Sequence, residues 1–310
     1  MSNKLNFKQV STLWKEEKRQ FVKQSTMSAY LLILENHLLP TFGEMTAIRE
    51  DVVQSFVIAK LNSGISQKSV KDMLIVLKMV VKHGYKQGEL NHPDWDIKFP
   101  TEQTSKELPV LSIIQQRKLM RHIKENFTFR NLGVFICLHT GIRIGEVCAL
   151  KWGDIDTNEG IISISKTIER IYIMDGYNKH TELVISTPKT KNSHRDIPMT
   201  KDLIKLVKPL KTIVNNDFYV LTNESFPTEP RTYRNYYKKL LKALDIPAIK
   251  FHGLRHSFAT RCIESQCDYK TVSVILGHSN VSTTLNLYVH PNFDQKKRCL
   301  DKMVKSLGKI

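Results

Sequence analysis

From His252 to Tyr288 the sequence concentrates residue types able to do chemistry. His252, Arg255 and His256 lie three and four apart, a spacing that projects side chains from one face of a helix, so several basic groups share one site. Asp268 opens a short apolar helix through Val272, Val274, Ile275 and Leu276. Gly277 closes it where a left-handed C-cap is expected, and His278 follows at once. A third amphipathic segment begins near Val281 and ends on Tyr288, ten residues after His278. Cations facing a phenol suit an anionic substrate and an oxygen nucleophile. Upstream, a helix starting near Arg143 puts Glu146 on the same face, where the carboxylate can steady the guanidinium. The polar turn TPKTKNSHR would project Lys189 and Lys191 from its tip.

Taken singly, each of these residues has a plainer explanation. A tyrosine closing an amphipathic helix is commonly a half-buried packing residue. Arg143 with Glu146 can be a surface ion pair, and Lys189 a turn lysine. His252 and His256 have the i, i+4 spacing of a zinc helix, but the glutamate of HExxH is absent, so neither a metal nor another cofactor is expected.

The elements that must position these groups are mostly helical. Two helices are read between Phe7 and Pro40, one through Trp14, Phe21 and Val22, the other from about Thr26. A third spans Arg49 to Leu61. Ser66 to His83 is the clearest amphipathic helix, with Val70, Met73, Leu74, Leu77, Val80 and Val81 on one side. Its other side carries Lys68, Lys71, Lys78 and Lys82, a stripe able to track phosphates through counterion release or simply a solvated face. Asn91 to Pro109, with Pro93, Pro100 and Pro109, has the composition of a linker, which sets a boundary near residue 104 between residues 1–103 and 104–310. Beyond it, helices are expected from Leu111 to Asn126 and Arg130 to His139. Short β-branched strands at Gly160 to Lys166, Glu182 to Ser186 and Arg195 to Pro198 suggest one small antiparallel sheet. Helices from Thr200 to Val214 and Thr232 to Leu244 precede the His252 region. In the tail, Leu300, Met303, Val304 and Leu307 repeat at helical spacing, an apolar stripe that must be covered by its own domain or by a neighbouring subunit.

Composition narrows the partner. The 310 residues, 41% of them apolar, can fill two cores, and 47 basic against 30 acidic residues give a formal charge of +17. A sequence pI near 9.6 favours a polyanion such as nucleic acid. Up to residue 103 there are 14 basic and 11 acidic residues, so most of the excess lies downstream. No apolar run reaches membrane-spanning length and MSNKLNFKQV lacks the apolar core of a signal peptide, which leads to the expectation of a cytoplasmic protein without a membrane partner. Five scattered cysteines, Cys137, Cys148, Cys262, Cys267 and Cys299, form no CxxC pair and indicate neither a disulfide framework nor a zinc ribbon.

Four separated stretches, HTGIRIGEVCALKWGDID, TPKTKNSHRDIPM, HGLRHSFAT and LGHSNVSTTLNLYVH, occur in an order and at spacings that resemble the tyrosine recombinases or phage integrases. The likeness covers about residues 108–292, and VLKMVVKHGYKQGELNHP looks like the family's N-terminal helical domain. The resemblance implies a mainly α protein with a small antiparallel β-sheet. Its two domains would be a helical core-binding (SAM-like) domain and an α+β catalytic domain. It further implies that Arg143 and Arg255 hold the non-bridging oxygens of the scissile phosphate, and that Lys189, or Lys191 two residues on, protonates the departing 5′ oxygen. His252 would act in proton transfer, His278 would fill the family's His or Trp place, Glu146 would be the supporting acid, and Tyr288 would attack to give a 3′-phosphotyrosyl intermediate. The implied partner is double-stranded DNA, bound by a homo-tetramer on paired sites with exchange of the C-terminal helix. The family's separate arm-binding domain is not expected ahead of the helical region.

The chemistry agrees with those residue types. Phosphodiester transfer accumulates negative charge on equatorial oxygens, and two fixed arginines answer that need without a metal. A tyrosine with an ordinary pKa of about 10 needs a proton acceptor, and an alkoxide leaving group needs a donor. Two other readings stay open at this point: a catalytically inactive sequence-specific DNA-binding or accessory protein, and a type IB topoisomerase-like enzyme that cleaves and reseals one strand without a second duplex.

Overall fold

A computed structural model of the chain describes residues 4–101, 109–175, 178–187, 194–288 and 293–306. In chain order the helices and strands are α1 (Phe7–Arg19), α2 (Gln24–Ile33), α3 (Leu39–Phe42), α4 (Glu50–Asn62), α5 (Gln67–Lys86), α6 (Ile113–Glu125), α7 (Phe129–Thr140), α8 (Ile144–Ala149), β1 (Ile155–Asp156), β2 (Ile161–Ile164), β3 (Thr167–Asp175), β4 (Asn178–Ser186), β5 (Arg195–Pro198), α9 (Lys201–Lys211), α10 (Pro230–Ala243), α11 (His252–Glu264), α12 (Tyr269–Leu276), α13 (Val281–Tyr288) and α14 (Phe293–Ser306). They form two compact units. One is Met1–Ser105 with Arg170–Val184, the other Lys106–Glu169 with Ile185–Ile310.

In the first unit, Asn6 and Gln9 exchange side chain to backbone hydrogen bonds of 2.9 and 3.0 Å, a capping box that starts α1. Phe7, Val10 and Trp14 follow at helical spacing and are buried. The expected continuation through Phe21 does not occur. The Gln20 and Phe21 amides turn back onto the Glu17 and Lys18 carbonyls in a tightened turn, and Phe21 is left 73% exposed. The next helix instead runs past Pro40, because a π-helical turn at Leu34–Leu38 joins α2 to α3. Widening the ladder just ahead of Pro40 relieves the clash its ring would make with the carbonyl four residues back. α5 buries Val70, Met73, Leu74, Leu77, Val80 and Val81, and exposes Lys68, Lys71, Lys78 and Lys82. The same unit contains part of the β3–β4 hairpin. Tyr172 and Met174 pack on its core, the Tyr172 amide donates to Ser28 Oγ at 2.7 Å, and Lys179 pairs with Glu35 at 2.7 Å.

In the second unit α7 packs against α11, and β1, β2 and β5 form an antiparallel sheet in the order β1-β2-β5. Ile162 faces Ile197 and Ile164 faces Arg195. The single sheet expected from the sequence is therefore corrected. Residues 182–186 belong to β4, whose partner is β3, a strand not anticipated. TIERIYIMD does not alternate cleanly, because the buried Ile168 and Ile171 fall on opposite faces, Ile168 with Arg170 and Ile171 with Glu169; its β-branched and aromatic residues are what favour a strand. Gly145 lets α8 pass close to this strand, since a Cβ there would lie 2.4 Å from Thr167 Oγ1. On α14, Leu300, Met303 and Val304 are 61%, 49% and 59% exposed, so the described residues leave the tail stripe largely uncovered; Leu307 lies outside them. Among the described residues no helix is long and apolar enough to cross a membrane.

Candidate active site

Three separate stretches of the second unit bring basic side chains to one place. The first is the α7–α8 junction. Gly141 ends α7 in the left-handed conformation (φ 66°), and Arg143 becomes the N-cap of α8. Glu146, three residues on, reaches back so that its carboxylate accepts from the Arg143 amide at 2.8 Å and from Arg143 Nη1 at 2.8 Å. Capping geometry thus both starts the helix and fixes the guanidinium.

The second is α11. Arg255 is 2% exposed, and its Nη1 donates to the Gly141 carbonyl at 3.0 Å, which ties α11 to the turn holding Arg143. One turn apart, His252 and His256 meet edge to face with ring centroids 4.7 Å apart. His252 opens towards solvent. Arg143, His252 and Arg255 share the wall of a cleft of roughly 640 Å³ with Arg234, Lys238 and Lys250. Loss of solvation, then the charges of His256, Arg255 and Arg143, brings the His252 imidazole down to about 4. It is therefore neutral near pH 7 and able to accept a proton.

The third is the end of α12. Asp268 caps its start, accepting from the amides of Lys270 and Thr271. Gly277 (φ 67°) ends it as expected, with the Gly277 and His278 amides closing onto the Val274 and Ser273 carbonyls. The carbonyls of Ile275 and Gly277 remain available, and each accepts from an arginine. Arg143 Nη2 donates to Gly277 O at 3.1 Å and Arg195 Nε to Ile275 O at 2.6 Å. His278, next in the chain, has its Nδ1 2.8 Å from Oγ1 of the buried Thr284 on α13. Desolvation, then Arg255, Arg143, His252 and Arg195, lowers the His278 imidazole to about 4.

Arg143, Glu146, His252, Arg255 and His278 are thus gathered together. Lys189 and Lys191 lie outside the described residues, and Tyr288 is the last residue of α13, with its side chain also outside them. Lys68, Lys71, Lys78 and Lys82 belong to the other unit. The sequence profile of the phage integrase family matches residues 110–295, the span that contains all three stretches. The chain belongs to the phage integrase family. A second profile, the N-terminal SAM-like domain of phage integrases, matches residues 6–60. Among curated relatives of this integrase-family chain, the tyrosine recombinase XerC-like protein of Caldanaerobacter subterraneus subsp. tengcongensis is 29% identical over 283 residues, covering 84% of this chain and 72% of the relative. The ICEBs1 integrase of Bacillus subtilis is 25% identical over 284 residues, covering 87% and 75%. In fold, the chain is similar to the Tn1549 transposon integrase solved with transposon right end DNA, with a TM-score of 0.76 at 20% identity over 97% of this chain and 100% of that one. A lambda integrase tetramer bound to a Holliday junction gives 0.69 at 16% identity over 94% and 80%. The integrase-family chain is a tyrosine-type site-specific recombinase.

One residue of this site escaped the sequence reading. Arg195, at the start of β5, donates through Nη1 and Nη2 to the two Glu146 oxygens at 3.1 and 2.9 Å, with only 5% of its side chain exposed. Glu146 therefore lies between two guanidiniums. Burial alone would push its carboxyl up, but the hydrogen bonds and charge of Arg195 and the charge of Arg143 outweigh that and hold it at about 2. Strand parity was the available signal, because Arg195 is two residues from the buried Ile197 and so shares its face.

Proposed function

We propose that this recombinase cleaves and rejoins duplex DNA at specific sites through a covalent phosphotyrosyl intermediate. The observation that carries this reading is the convergence of Arg143, His252 and Arg255 on one cleft, with His278 beside the Gly277 carbonyl that Arg143 bonds and within electrostatic reach of all three. Arg143 and Arg255, held by backbone carbonyls, bind the non-bridging oxygens of the scissile phosphate, where charge grows in the transition state. Tyr288 Oη forms the new bond to phosphorus and passes its proton to neutral His252. The bond to the 5′ oxygen breaks, and that oxygen takes a proton from Lys189, with Lys191 the alternative donor. His278 contacts the same phosphate from the α12 end. The ester retains the energy of the phosphodiester, so a 5′ hydroxyl from a second duplex can reverse the attack and exchange strands. Position 288 is one helical turn beyond Thr284, which meets His278, and this supports placing the nucleophile here. The solved integrases of similar fold are complexes with DNA, which supports duplex DNA as the partner.

The same reading assigns residues 1–103 to duplex binding, with Lys68, Lys71, Lys78 and Lys82 on phosphates, and residues 104–310 to catalysis. It assigns the exposed Leu300, Met303 and Val304 to exchange between subunits of a tetramer on paired sites. A nicked suicide duplex carrying the element's own junction tests the chemistry. Wild type accumulates a covalent adduct and Tyr288→Phe does not, whereas an adduct in Tyr288→Phe rejects Tyr288 as the nucleophile. Duplex binding without any wild-type adduct would favour an accessory protein. Removing residues 293–310 weakens assembly on paired sites more than binding to one site, and equal losses reject the exchange role.

A further inference from the structure

We propose that Arg195 is the positioning residue that sets Arg143 and His278 towards one phosphate, through Glu146 on one side and the C-terminal carbonyls of α12 on the other. The proposal rests on the reading of the site given above. At least three of the five guanidinium donors of Arg195 are committed, one to Ile275 O at 2.6 Å and two to Glu146 at 3.1 and 2.9 Å. Glu146 passes the constraint to Arg143 through two bonds of 2.8 Å, and Arg143 Nη2 returns it to α12 at Gly277 O. The result is a closed ring from Arg195 through Glu146, Arg143 and Gly277 to Ile275, and His278 is the residue next to Gly277. With 5% of its side chain exposed, Arg195 acts through these neighbours and not on substrate. A lysine would keep the charge but not the planar fork that reaches Glu146 and the Ile275 carbonyl together.

The test is Arg195→Lys on the full chain, with duplex affinity and the rate of covalent adduct formation at saturating protein measured separately on the suicide duplex. Affinity stays within about threefold of wild type while the rate falls about 10- to 100-fold, since misplaced groups slow chemistry without releasing DNA. Glu146→Asp, which keeps the charge but withdraws the carboxylate by one methylene, produces the same split and carries the test alone should Arg195→Lys fail to fold. Combining the two substitutions costs no more than the worse single one, because they break one ring. A rate within twofold of wild type in either folded variant, or rate and affinity falling in parallel, overturns the proposal. Wild type that forms no adduct fails the functional reading itself, a different result from an active wild type matched by an active Arg195→Lys.

Discussion

Replacing Glu146 by glutamine tests whether the buried carboxylate between Arg143 and Arg195 is a stabilising centre. The folded protein holds this carboxyl at about 2 against an ordinary value of 4.5. Those 2.5 pH units correspond to about 3 kcal/mol of stability at neutral pH, within the range for breaking a buried pair from one side. The direction follows from the depressed folded value. The contribution is complete above about 4.5 and is lost as the pH falls towards 2. Urea denaturation of wild type and Glu146→Gln, followed through the cooperative transition of the second unit, measures it. With a slope of about 2 kcal/mol per molar for a unit of this size, the midpoint drops by about 1 to 2 M at pH 7. At pH 3 linkage leaves roughly 1.5 kcal/mol of the difference. A glutamine variant within about 0.5 kcal/mol of wild type at pH 7, or a gap that does not narrow at pH 3, would refute the reasoning.

Two further outcomes follow from the charges. His252 and His278 are held near 4 without substrate, and a phosphodiester placed between them raises both values, so binding takes up protons. Duplex affinity therefore increases as the pH is lowered from 7 to 5, an increase that the double variant His252→Gln, His278→Gln loses; an affinity indifferent to pH in wild type would contradict this. Substituting Lys68, Lys71, Lys78 and Lys82 by glutamine lowers the slope of log affinity against log salt by about 0.9 for each lysine on a phosphate, and an unchanged slope returns the stripe to solvent.

Local rules carried much of the sequence reading. The α5 core face was legible because its apolar residues repeat at helical spacing, and the end of α12 because a left-handed glycine followed an apolar run. The clustering of Arg143, His252, Arg255 and His278 was visible only through the order of four motifs, since spacing along the chain does not specify which loops meet. Arg195 was missed because its bonds reach Glu146, 49 residues away, and a carbonyl 80 residues away, neither of which leaves a local pattern. The strand β3 was missed because its apolar residues do not keep to one face, although Asp175-Gly176 is a dipeptide typical of hairpin turns. Near Pro40 the proline rule suggested a stop, and a π turn provided a way through.

The β3–β4 hairpin bears on how such proteins can be recombined as modules. Its residues 170–184 follow α8 in the chain yet supply Tyr172 and Met174 to the core built on α1, α2 and α5. A chimaera that exchanged residues 1–105 alone would leave this chain's own hairpin against a foreign helical face, with the contacts of Tyr172 to Ser28 and Lys179 to Glu35 lost. The transferable block is discontinuous, and grafting a relative's N-terminal specificity onto this chain means carrying two segments of sequence instead of one.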